Sequence, residues 1–90
     1  MKKETLMITK FQMKKMINEF NTKVNMEENY DTLMRKDYDF ISTGEFYKVE
    51  FFDDGCVEIF VYDAEDKSLG KIFFDSCDRT FGLFLINKIK

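Results

Sequence analysis

The 90 residues include 17 aspartates and glutamates, two cysteines and no histidine. Without imidazole there is no Ser-His or Cys-His nucleophile pair, no base of near-neutral pKa and no His-ligated metal. General acid–base work would fall to paired carboxylates, and the spacing offers Asp53 with Asp54 and Glu50 with Glu58. Both have plainer readings: Asp53-Asp54-Gly55 is turn chemistry, while Glu50 and Glu58 are polar positions within strands. Asp63-Ala64-Glu65-Asp66-Lys67 starts like a calcium loop but puts Lys67 where the third oxygen ligand belongs. Gly44, Gly55, Gly70 and Gly82 are too scattered for a phosphate-cradling loop. Cys56 and Cys77 are too few for a disulfide scaffold and cannot close a zinc site without histidine, so both are read as free thiols. The expectation is a protein that is not an enzyme, with no catalytic residue, metal or cofactor.

Recognition is the remaining chemistry, and charge is its first carrier. Net charge is −3, but residues 37–80 hold four Lys/Arg against twelve Asp/Glu, or −8. Asp53, Asp54, Asp75 and Asp78 fall at one end of the expected sheet, and Asp63, Glu65 and Asp66 at the other. Such carboxylates solubilise loops, or they dock into a basic groove and steer the encounter. These seven residues are the candidate partner-binding set. Phe46, Phe52, Phe60, Tyr62 and Phe73 share one sheet face with Lys48, Glu50, Glu58 and Lys71 and form the alternative, a homodimer seam. Aromatics beside lysines can also stack nucleic-acid bases, but Glu50 and Glu58 oppose that, leaving weak nucleic-acid binding as a third reading.

The elements that position these groups follow from pattern. Phe46 to Asp75 alternates apolar and polar residues between turn formers, predicting a three-stranded antiparallel meander. A three-residue loop over Asp53–Gly55 sets Tyr47, Val49 and Phe51 against Val61, Ile59 and Val57, and an even loop over Glu65-Asp66 pairs Ile59 with Ile72 and Val57 with Phe74. That completes an apolar core face, with Phe46, Phe52, Cys56, Phe60, Tyr62, Leu69 and Phe73 opposite. Thr9 with Gln12 forms a capping box, and Met13, Met16, Ile17, Phe20 and Val24 follow at helical spacing. Asn25 could cap a second short helix with Met26, Tyr30, Leu33 and Met34 on its stripe, and Glu28 at its third position. Asp37 to Thr43 reads as a loop or short leading strand. Asp78 could cap a C-terminal helix ending near Lys88 and Lys90.

The expected architecture is therefore one α+β domain over residues 1–90: a flexible lead-in over 1–7, an amphipathic helix, the meander, and a C-terminal helix, with one helical element on each sheet face. No apolar run is long enough to span a membrane, and no h-region follows Met1-Lys2-Lys3, so a cytoplasmic location is expected. In size, acidity and mixed helix–hairpin build the chain looks similar to small phage or mobile-element inhibitors, including anti-CRISPR and DNA-mimic proteins. It is similar on the same terms to toxin-neutralising immunity proteins; no shared motif carries either resemblance. The function this implies is a non-enzymatic protein-binding module inhibiting a basic or nucleic-acid-handling protein. The alternative is a structural or regulatory subunit that dimerises through the aromatic face.

Overall fold

The computed structural model describes residues 3–27, 30–76 and 79–89. The chain runs through β1 (Lys3–Thr9), α1 (Lys10–Glu27), α2 (Arg35–Ser42), β2 (Phe46–Phe52), β3 (Val57–Tyr62), β4 (Ser68–Phe74) and α3 (Phe81–Ile89). The four strands form one antiparallel sheet in the order β1-β2-β3-β4. The class is α+β.

The register of the last three strands follows side-chain parity. Tyr47 faces Val61, Val49 faces Ile59 and Phe51 faces Val57; Ile59 then faces Ile72 and Val57 faces Phe74. Gly55 closes the first hairpin at φ 94°, a conformation that side chains disfavour, with its N–H on Phe52 O at 3.0 Å. The second connection departs from the expected register at its start. Val61 pairs with Gly70 and Tyr62 with Ser68, so Leu69 bulges out and does not take the place opposite Tyr62. Gly70, at φ 131°, passes beneath the Phe40 ring, and an added Cβ would lie 2.9 Å from Phe40 Cζ.

Two expectations about the first half of the chain are corrected. Lys3 to Met7, read as part of a flexible lead-in, belong to β1, the fourth strand, which pairs with β2 along its whole length from Lys3 opposite Phe52 to Thr9 opposite Phe46. The second helix lies at Arg35–Ser42, starting two residues before the Asp37–Thr43 stretch read as loop or strand and covering most of it; α1 meanwhile runs past Asn21 and Asn25 to Glu27. Residues 30–34, which were to carry the second helix, are not helical. Met26 and Met34, two members of the supposed stripe, are exposed. Glu28, Cys77 and Asp78, together with the capping and thiol roles assigned to them, lie outside the described residues.

The helices share one core. Ile8, Met13, Ile17 and Phe20 from β1 and α1, Ile41 from α2, and Phe81, Phe84 and Leu85 from α3 cluster with Tyr47, Val49, Phe51, Val57, Ile59, Val61 and Phe74. Edge-to-face contacts of Phe20 with Phe81 and Phe84, at centroid distances of 5.2 and 5.4 Å, lock α1 to α3. The expectation of one helical element on each face is therefore corrected: all three helices bury their apolar residues against the same face. Alternation explains this, because the odd-numbered residues of β2 and β3 supply a wholly apolar surface that the helix stripes fill.

Candidate functional site

The second face of the sheet is left open, and cross-strand pairing arranges it in rows. Met7, Lys48, Phe60 and Lys71 form the central row; Thr5, Glu50, Glu58 and Phe73 lie on one side of it, and Thr9, Phe46, Tyr62 and Ser68 on the other. The structure thus brings Phe46, Phe60, Tyr62 and Phe73 onto one surface, with Phe52 at the hairpin end of the same face. Phe46 and Tyr62 stack at 5.2 Å with 10° between their planes. Phe73 and Met7 are the most open, at 54% and 55% exposure.

The charges among these rings are internally matched. Glu50 and Glu58 face each other, as register demanded. Lys48 Nζ lies 3.8 Å from Glu50 Oε2, and Lys71 Nζ lies 3.2 Å from Glu58 Oε2. Each ammonium also sits over Phe60, at 4.6 Å for Lys48 and 5.7 Å for Lys71. Cation–π contacts of this kind contribute about 0.5–1 kcal/mol when exposed. Two lysines and two glutamates leave the patch neutral, and the mutual contacts hold their side chains in place. Glu50 is only 6% exposed although, among the described residues, no helix packs on this face.

The acidic loops divide between the ends of the sheet. Asp53, Asp54 and Asp75 follow or precede strand ends on one side, whereas Asp63, Glu65 and Asp66 occupy the β3–β4 turn on the other. Two of these carboxylates build their own loops. Asp54 Oδ1 accepts from the Cys56 N–H at 3.0 Å, which holds its carboxyl below the usual carboxylate range. Asp63 Oδ1 accepts from the N–H groups of Glu65 and Lys67, both at 2.9 Å. Asp66 adopts φ 67° within the same turn. Cys56 is a free, half-buried thiol. Among the described residues, no three His, Cys, Asp or Glu side chains form a metal-holding group, and no helix is long and apolar enough to cross a membrane.

The sequence reading missed β1's share of this surface. Its signal is slight: Leu6-Met7-Ile8 is a three-residue apolar run flanked by the β-branched Thr5 and Thr9, too short to show alternation. Comparison with protein-family models, curated proteins and solved structures finds no match for this chain.

Proposed function

We propose that this protein is a non-enzymatic binding module that takes a protein partner on the open face of its sheet. The observation that carries this reading is the face itself: aromatic, neutral and held in place by its own ion pairs, while all three helices pack on the other side. Aromatic anchors dominate the energetics of protein interfaces, and side chains already ordered lose little entropy on docking. The loops at both ends surround this patch with carboxylates, the layout of an apolar centre and a polar rim. The complementary partner is a protein with an apolar patch bordered by basic residues, such as a nucleic-acid-handling protein, and occupying that patch inhibits it. Direct nucleic-acid binding is disfavoured, because Lys48 and Lys71 are each matched by a glutamate and leave no cationic surplus for phosphates.

The test is capture from cell lysate with wild type, with Phe60→Lys/Phe73→Lys, and with Asp53→Lys/Glu65→Lys, each variant first shown to be folded. A basic protein retained by wild type and lost by the face variant supports the proposal, with the loop variant retaining less of it at higher salt. Undiminished retention by the face variant would move the interface off this face and sink the reading.

A further inference from the structure

The two edges of the sheet differ, and the difference concerns self-association. The β4 edge is broken by the Leu69 bulge and the Gly70 backbone, a device that blunts strand addition. The β1 edge has no bulge: seven consecutive residues pair with β2. Hydrogen-bond alternation shows which of its groups point outward. The Phe52 N–H donates to Cys56 O, so Phe52, Glu50 and Lys48 bond toward β3, and Phe51, Val49 and Tyr47 bond toward β1. Their partners Glu4, Leu6 and Ile8 therefore use their peptide groups inward, while Lys3, Thr5, Met7 and Thr9 turn theirs away from the sheet. The Thr9 N–H is already taken by Gln12 Oε1 at 2.9 Å. Thr5 and Met7 remain at the centre of the edge.

A groove of about 420 Å³ runs beside this strand, lined by Glu4, Thr5, Leu6, Phe51 and Ile89. It lies on the helix side, where Leu6, 37% exposed, is only partly covered. We propose that its occupant is Leu6 of a second copy of this chain, the two β1 strands pairing antiparallel about a two-fold axis at Leu6 to make one eight-stranded sheet. In that register Thr5 faces Met7 twice over, and each pair exchanges two peptide hydrogen bonds through the outward groups. Glu4 faces Ile8 and Lys3 faces Thr9, so no like charges oppose one another. Registers shifted by two residues either way pair fewer residues, and the groove loses its leucine. This inference stands apart from the open-face reading, because it uses the edge of the sheet and leaves Phe60 and Phe73 free for a partner.

Sedimentation velocity from low micromolar to near-millimolar concentration, with amide hydrogen exchange on the same samples, tests it. The wild type dimerises, and the Thr5 and Met7 amides become protected as it does, whereas Leu6 and Ile8 are protected at every concentration. Leu6→Lys and Leu6→Glu each weaken the dimer at least about tenfold by placing like charges at the axis, and an equimolar mixture of the two restores association. A monomer throughout the range overturns the proposal, as does a dimer in which the Thr5 and Met7 amides exchange freely. The exchange readout needs no variant, so a poorly folding substitution cannot rescue the idea or hide its failure.

Discussion

Tyr47 shows how one side chain ties the two halves of the molecule. Its ring is buried in the core, and its hydroxyl donates to Ile41 O and lies 3.3 Å from Gly44 O, fastening the end of α2 to the start of β2. Tyr47→Phe keeps the packing but removes one of the two donors to the Ile41 carbonyl, which retains the Gly44 N–H at 3.2 Å, and chemical denaturation should show a loss of about 0.5–1.5 kcal/mol. Burial, reinforced by the Glu45 charge, pushes the Tyr47 phenol up to about 12 from 10.0. The folded state thus holds this proton more tightly than the unfolded chain, so the associated stability is intact below pH 10 and is lost as pH rises from 10 toward 12. Tyrosinate absorbance should show a titration step near pH 12, and Tyr47→Phe should remove that step. Little of this was legible beforehand. The Thr9–Gln12 capping box was, because both partners lie within one turn, and the structure joins Thr9 N to Gln12 Oε1 at 2.9 Å and Gln12 N to Thr9 Oγ1 at 3.2 Å. The Tyr47 hydroxyl finds its acceptor on α2, an element the pattern did not reveal.

Among the elements, those with a complete periodic signal were legible and those resting on tertiary contact were not. The β2–β3 register followed from two alternating runs and a glycine turn. By contrast α2 is eight residues long, and no side-chain hydrogen bond caps its start at Met34; Ile41 in the core and the exposed Arg35–Asp39 pair at 3.1 Å mark it only once folded. β1 went unread because its seven residues gain their value as a strand by completing β2. α3 was anticipated despite Gly82, and the structure supplies the reason for that glycine. A Cβ there would stand 2.6 Å from Phe74 Cβ and 3.3 Å from Val57 Cβ, atoms held by strand backbone. Gly82→Ala should therefore destabilise by about 1–3 kcal/mol through overpacking, outweighing the roughly 1 kcal/mol that alanine favours in a free helix. Thermal unfolding of the variant decides the sign: a raised melting temperature would mean that α3 can move off the sheet.

For the whole molecule, one sidedness organises everything: helices on one face, aromatics on the other, carboxylates at both ends. The apolar content of the second face could be counted from the sequence, but its openness could not, since that depends on where three helices choose to pack. Centre and rim should separate kinetically once a partner is in hand. Phe73→Ala, at an exposed ring, should leave the melting temperature within about a degree or two while raising the dissociation rate at least about tenfold. Asp53→Lys/Glu65→Lys should chiefly slow association and flatten its salt dependence, as loss of steering does. Surface plasmon resonance across a salt series measures both, and equal effects on the two rates from either variant would dissolve the distinction between centre and rim.

The sequential order of the strands also sets a timetable for folding. β2, β3 and β4 meet through short turns, whereas β1 must return to β2 across the whole of α1 and α2, a closure with a much larger entropic cost. This cost predicts that the hairpins form first and β1 closes the sheet last, with β1 contacts absent from the folding transition state. Truncating Ile59 should slow folding, and truncating Leu6 should instead speed unfolding. Between those events β2 is an uncovered edge, and the nascent chain is exposed there until its first strand comes home.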